Sequence, residues 1–401
     1  AAAEWMPRLL TNDYDPRDLP AAEKRGALFG MFMTEKQGGS DVRAITTTAT
    51  PQGDATGIGA GYLLTGHKFF CSAPMCDAFL VLARTQEQDL SCFVVPRWRP
   101  DGSRNALLIQ RLKDKLGNRS NASVEMEFLD TYGMMIGAEG RGIRTIIDMV
   151  AGNRLCCAAA SAGLMRQALV QALHHTSHRS AFQKRLIDQP LMRAVLADMA
   201  IEAEAGLALA LRVASAMDHA NTVAAEAVLA RLGTAVAKYW NCKRAPALIA
   251  EALECHGGPG YIEESILPRL YREAPVNSIW EGSGNIMALD VLRALSREPE
   301  AAPVFLAELE TARGGDADLD RAIAELRSEL GGPVAPEGRM RAITERMALT
   351  WQGALLTRHG PPEVAAAFCA TRLGTGFRGT YGVLPQGCDL DAIIGRAAAR
   401  A

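Results

Sequence analysis

"IRTIIDMVAGNRLCCAAASAGLMRQALVQALHHTSH", residues 143–178, carries apolar side chains every three to four positions and no proline. That spacing lays an apolar stripe along one face, so the stretch predicts a long α-helix. What comes before it has another rhythm. Between about 29 and 132, "GYLLTGHKFFC" (61–71), "AFLVLART" (78–85), "SCFVVPRW" (91–98) and "SVEMEFLD" (123–130) are short, rich in β-branched and aromatic residues, and separated by Gly, Pro and Asp. These predict strands. After it, the tracts 189–219, 222–256 and 283–295 keep the helical spacing with many alanines. Small helix faces pack closely, so a helical bundle follows the β unit. "SREPEAAP" (296–303) breaks the pattern with two prolines and charge, and marks a boundary. Beyond it, "LDRAIAELRSEL" and "RMRAITERMALTWQGALL" are helical again, divided by "GGPVAPEG". Strands first and helices afterwards give an α+β chain with the two classes segregated, rather than alternating β-α units.

At 401 residues the chain exceeds what one hydrophobic core usually supports, so two or three structural units are expected. Hydrophobic residues make up 48% and charged residues 22%, and no run approaches the roughly 18 uncharged apolar residues of a membrane span. No membrane partner is expected. The opening "AAAEWMPRLLTNDYDPRDLP" lacks a basic stretch followed by an apolar one, so no secretory signal is visible and a cytoplasmic location is expected. Nine cysteines, without a CxxC pair or a Cys/His cluster at ligand spacing, read as reduced thiols and predict no metal. A net charge of -2 argues against a strongly cationic surface.

Three stretches carry candidate chemistry. "MTEKQGGSDVR" (33–43) crowds Thr34, Gly38, Gly39, Ser40 and Asp41 into one loop. Adjacent glycines let backbone N–H groups approach a ligand closely, and the hydroxyls add donors, although an ordinary Gly-Gly turn has the same composition. "GHKFFCSAP" (66–74) places Phe69 and Phe70 on opposite faces of a strand, so one is expected to enter the core while the other meets a flat ligand. "SIWEGSGNI" (278–286) sets a lone acid, Glu281, between a tryptophan and two glycines, just ahead of an apolar helical run. A carboxylate there can complement a helix N-terminus or act as a base.

Taken together and in this order, these stretches resemble the acyl-CoA dehydrogenase family of flavoproteins. "MTEKQGGSDV" is similar to its TEPxAGSD loop, "GHKFFCS" to its G-x-K-x-[WF]-I-[TS] strand, and "HRSAFQKRLIDQP" to its R-x-x-F-G segment. "ECHGGPGY" resembles its Q-x-x-GG-x-G loop and "IWEGSGNI" its YEGT-x-x-[IQ] site. "RLKDKLGNRSNAS" and "REAPVNSIWEGSGNIM" further resemble the alkylation-response, AidB-type branch, which adds a C-terminal helical extension. The resemblance implies four parts: a connector from an N-terminal helical domain (1–28), a flavin-binding β domain (29–132), a helical bundle with the active-site glutamate (133–295), and the extension (296–401).

It also implies roles. Glu281 takes the α-proton of an acyl thioester while FAD accepts the hydride, and Gly282 lets the backbone turn toward the substrate. Some relatives carry the base on an earlier helix, where this chain has Asn153, which cannot serve. Thr34 and Ser40 would contact the flavin ring and pyrophosphate, with Phe70 and Ser72 stacking on and bonding the isoalloxazine. Arg179, Phe182, Gln189, Gly257 and Gly258 resemble residues that reach the adenosine half of FAD in a neighbouring subunit, and Ser283 and Asn285 would complete the phosphate contacts. A shared FAD implies a homo-oligomer, by family habit a homotetramer, with electron-transfer flavoprotein as an acceptor. The chain departs from the pattern at Gln183, where the motif has glycine, and at Glu254, where many relatives have glutamine.

Two functions fit. One is dehydrogenation of a short or branched acyl-CoA such as isovaleryl-CoA. The other, implied by the branch, is an alkylation-response flavoprotein that binds double-stranded DNA. From 294 to 401 there are 12 Arg, no Lys and 14 Asp plus Glu, which is not the basic face that phosphate contacts require. Arg339, Arg341 and Arg346 share one expected helix with Glu337 and Glu345 among them.

Overall fold

The computed structural model describes residues 2–85, 90–332, 335–374 and 387–398. The chain divides into two compact units, residues 1–150 and 151–401.

The first unit opens with α1 (Ala2–Leu9) and continues through β1 (Phe29–Phe32), β2 (Thr48–Pro51), β3 (Gly61–Ser72), β4 (Ala78–Arg84), β5 (Leu90–Pro96), β6 (Leu107–Leu112) and β7 (Ser123–Ile136). The pairing runs β4–β2–β3–β7–β5 and returns to β4, so it closes on itself. Closure leaves few free edges, and the exceptions are β1, added in parallel to β4, and β6, added antiparallel to β7. β5 is buried at every position, which is why its sequence, apart from Ser91, reads as apolar throughout instead of alternating. Inside, Phe32 stacks on Phe79 at 4.0 Å and Tyr62 meets Phe93 edge-on at 5.2 Å.

One buried ion pair ties a loop to this sheet. Lys68, fully buried on β3, donates from Nζ to Glu35 Oε1 at 2.7 Å and to the carbonyl of Leu82 on β4 at 3.0 Å. Glu35 also accepts from the backbone N–H and hydroxyl of Thr46, at 2.8 and 2.9 Å, and from the Thr47 hydroxyl at 2.5 Å. Burial alone would push the Glu35 carboxyl up, but Lys68 and the threonine donors overcome it and hold it at about 2. The loop carrying Thr34 and Ser40 is thus pinned at both ends.

The expectation that one of Phe69 and Phe70 enters the core fails. The register of β3 against β7 shifts between Lys68 and Cys71, a bulge that re-aims both rings. Phe69 is partly buried and Phe70 is 43% exposed, and their centroids lie 5.2 Å apart. The Lys113 ammonium sits 3.4 Å from one ring centre and 4.4 Å from the other. It is Lys68 that fills the core.

The second unit is helical: α2 (Gly142–His178), which begins in the first unit, then α3 (Pro190–His219), α4 (Ala224–His256), α5 (Leu267–Asn277), α6 (Gly284–Arg297), α7 (Ala301–Glu310), α8 (Ala317–Leu330), α9 (Met340–His359), α10 (Pro362–Phe368) and α11 (Leu390–Ala397). A hairpin of β8 (Ser180–Ala181) and β9 (Lys184–Arg185) lies between α2 and α3. The break at 296–303 is only a short turn between α6 and α7. The core runs through it without interruption, from Leu209 and Val236 of the bundle to Phe305 and Trp351 of the extension. Arg212 on α3 pairs with Glu226 at 2.8 Å and with Glu308 on α7 at 2.7 Å, and Arg372 pairs with Glu202 at 2.9 Å. Residues 375–386 and 399–401 of the expected extension lie outside the described residues.

Lys68→Met leaves the Glu35 carboxylate buried without its cation, so it should cost about 3–5 kcal/mol of unfolding free energy, and adding Glu35→Leu should restore most of that. Because Glu35 ionises lower in the folded chain than unfolded, its contribution is present above about pH 4.5 and lost as pH falls toward about 2. Denaturant midpoints of wild type, Lys68→Met and the double variant at pH 7 and pH 3 check both expectations.

Candidate active site

In the second unit, four helices converge on the turn between α5 and α6. Glu281 stands there at φ +57°, a left-handed conformation unusual for a residue with a side chain, followed by Gly282 at φ +105°. At that torsion a side chain is strained, which favours glycine at 282, and a Cβ there would also press on the flexible end of Met287, at 2.7 Å from its Cε. The strained turn is held from behind. Arg154 on α2 donates from Nε to the Glu281 carbonyl at 2.9 Å and pairs through Nη1 with buried Asp290 on α6 at 2.8 Å. Lys238 on α4, 1% exposed, donates to the carbonyls of Asn277 at 3.0 Å and Gly282 at 2.7 Å. Trp280 is oriented by Nε1 donating to Asn277 Oδ1 at 3.2 Å.

This setting fixes the electrostatics. Burial raises the Glu281 carboxyl above its ordinary range, only partly opposed by Arg154, Lys238 and a hydrogen bond from Asn153. Burial also lowers the Lys238 ammonium. Asn153, at the position where some relatives carry the base, therefore touches the glutamate instead of replacing it. A carboxyl of raised pKa, held on a fixed backbone, is a better base than an ordinary exposed glutamate.

The structure brings together some of the other expected residues. In the first unit, Thr34 and Phe69 join through a backbone bond of 2.8 Å, from the Phe69 N–H to the Thr34 carbonyl. Thr34 and Phe70 thus border one loop-and-strand junction, with Ser40 further along the same loop, and the hydroxyls of Ser72 and Ser123 lie 3.0 Å apart. In the second unit, Ser283 caps α6 without using its side chain, and Asn285 is exposed one position into that helix. Phe182 and Gln183 form the turn of the β8–β9 hairpin at φ +49° and +63°, and Phe182 is 93% exposed. Gln183 thus adopts the torsion for which the family motif supplies glycine. Arg179 is exposed, while Gln189 directs its amide to the Ala181 carbonyl at 3.1 Å, closing its own loop. Gly257, at φ +64°, terminates α4, and neither it nor Gly258 has an atom within 4 Å of a would-be Cβ. Arg339, just before α9, pairs with Glu329 at 2.7 Å, and Arg346 on α9 pairs with Glu325 and Glu329 at 3.0 and 3.1 Å. Sequence reasoning did not single out Lys68 or Lys238; a lysine inside an apolar run was the available signal at both.

If the clamp sets the glutamate's position, Lys238→Met should lower the turnover of the chemical step by at least about tenfold, from two buried carbonyls left without donors, with a smaller change in substrate KM. Steady-state kinetics with the wild type alongside reads the split.

Residues 30–131 match the acyl-CoA dehydrogenase middle domain and residues 140–296 the acyl-CoA dehydrogenase C-terminal domain. AidB of Escherichia coli (strain K12) is 48% identical over 372 residues, which cover 93% of this chain and 67% of that protein. Acyl-CoA dehydrogenase family member 11 of Caenorhabditis elegans is 31% identical over 368 residues, 84% of this chain and 59% of that one. The chain thus spans about three fifths to two thirds of the length of these relatives. The crystal structure of Caenorhabditis elegans ACDH-11 in complex with C11-CoA superposes with a TM-score of 0.82 at 28% identity, covering 90% of this chain and 68% of that one.

Proposed function

This chain belongs to the acyl-CoA dehydrogenase family, and we propose that it catalyses FAD-dependent α,β-dehydrogenation of a short or branched acyl-CoA, with Glu281 as the base. The observation that carries the reading is the Glu281 turn: a carboxylate raised by burial, on backbone clamped by Arg154 and Lys238. An acid kept on left-handed backbone beside the buried Lys238 and the partly buried Arg154 supports a functional role for that turn.

The residues fit the cofactor. Phe70 offers an exposed aromatic face beside the Thr34 loop, and Gly257 and Gly258 leave open space against which a ligand can lie. Thr34, Ser40, Phe70 and Ser72 would hold the flavin ring and its near phosphate, Ser283 and Asn285 the phosphates. Arg179, Phe182, Gln189, Gly257 and Gly258 would serve the adenosine half of FAD bound by a neighbouring copy in a homotetramer. When bound, FAD would supply a hydride acceptor for the substrate's β-carbon, with electron-transfer flavoprotein or another acceptor taking up the electrons. Glu281 removes the α-proton onto a carboxylate oxygen, and its raised pKa narrows the gap between base and carbon acid. No helix among the described residues is long and apolar enough to cross a membrane. Binding of double-stranded DNA draws on the AidB-type resemblance alone. Two of the arginines that would serve it, Arg339 just before α9 and Arg346 on it, are already paired with glutamates.

Anaerobic isovaleryl-CoA should bleach the visible band of the FAD-loaded protein, and Glu281→Gln should abolish the bleaching by about a thousandfold in rate or more. Equal bleaching in both proteins would remove Glu281 from the chemistry, whereas a bound flavin unchanged by any acyl-CoA would remove the dehydrogenase reading. A group raised in the folded chain is protonated, and idle as a base, until pH rises through its shifted value. The wild-type bleaching rate should therefore climb with pH through a midpoint above the ordinary 4.5, and stopped-flow traces across pH locate it.

A further inference from the structure

The family domains end at residue 296, yet a residue well beyond them reaches the active-site helix. Arg341 on α9 donates from Nη1 to Asn285 Oδ1 at 2.9 Å, and its guanidinium lies 5.9 Å from the centre of the Tyr239 ring, whose hydroxyl it also bonds. Lys243, one turn beyond Tyr239 on α4, holds its ammonium 5.4 Å from the same ring. Lys243 also crosses the first turn of α6, since a Cβ at Gly284 would meet its Cε and Nζ at 2.8 Å. Two cations from two different helices therefore converge on Ser283, Gly284 and Asn285.

Neither cation forms an ion pair among the described residues. Glu345, one turn along α9 from Arg341, acts on Arg341 and Arg244 only at a distance. Burial and then the Arg341 charge lower the Lys243 ammonium, which is the signature of two like charges brought together. They also stand at the positive end of the α6 dipole, where a cation is least favoured. Such a convergence is unfavourable until an anion joins it, and a guanidinium fork beside an ammonium suits phosphate oxygens.

We propose that Arg341 and Lys243 bind the pyrophosphate of the flavin dinucleotide, so that the C-terminal extension contributes a residue to the cofactor site. This rests on the flavin reading above, and on Ser283 and Asn285 as its phosphate contacts. It assigns α9 a role in cofactor retention. A phosphate of the acyl-CoA has the same chemistry, and the test separates the two.

The experiment titrates the full-length chain with FAD, riboflavin and CoA, following flavin fluorescence and, for CoA, calorimetry, in wild type, Arg341→Gln and Lys243→Met. The thermal melt of each variant confirms folding, which the exposed Arg341 should not disturb. FAD should bind either variant about tenfold or more weakly, as loss of a charge-assisted bond implies, while riboflavin, which has no phosphate, and CoA bind as to wild type. Equal FAD affinity in the variants, or an equal loss for riboflavin, would overturn the proposal. Loss of CoA affinity with FAD unchanged would assign the pair to the substrate and overturn it as well. Wild type that binds no flavin at all would overturn this inference together with the flavin reading, an outcome distinct from the other two.

Discussion

A carboxylate on left-handed backbone does not stay there unaided, and the contacts that hold Glu281 organise the second unit. Arg154 reaches the turn from α2 and Lys238 from α4, while Asp290 on α6 gathers Arg154, Arg231 and Arg293 at 2.8, 2.9 and 3.1 Å. Four helices thus meet at one short segment, and an error in any of them is transmitted to the glutamate. The strain is local, of the order of 1–3 kcal/mol for such a residue, and the buried donors over-determine it. Arg154 and Lys238 also temper the desolvation of the carboxylate without cancelling it, so the group is both fixed and basic.

The first unit uses the same device. Lys68 lies inside the sheet, donates to the Leu82 carbonyl and pairs with Glu35, whose remaining lone pairs collect the donors of Thr46 and Thr47. In both units a lysine is taken out of water and matched to backbone carbonyls or a carboxylate, and in both the reward is a loop of defined shape. Buried ion pairs contribute little net stability, because desolvation offsets the attraction, but breaking one is costly. Such pairs specify geometry more than they stabilise.

Much of this was legible in the sequence. The long helix through 143–178, the tracts at 189–219 and 222–256, and the four longer strands follow from periodicity, because each buries a consistent face. β6 escaped because it is mostly exposed and shows no alternation, and β1 and β2 because they are only a few residues long. α5 escaped because prolines 268 and 275 disguise it, one in its first turn and one near its end. Glu281 was legible from its glycine neighbours and family motif, but its partners were not: Lys238 and Arg154 lie far away in the chain, and only folding shows which carbonyls they meet. The bulge after Lys68 likewise defeated the simple alternation that would have sent one phenylalanine inward. Arg341 was read as part of a charged helix face, and the contact with Asn285 gives it another meaning.

The central claim is that Glu281 moves the α-proton, and proton exchange reports it without requiring the hydride step. The measurement is the loss of the α-hydrogen signals of isovaleryl-CoA in deuterated buffer, followed by NMR with the FAD-loaded wild type and Glu281→Gln. Exchange that is fast with wild type and falls to the protein-free rate in the variant is the predicted result. Exchange at the same rate with both proteins would contradict the account, because some other group would then be the base.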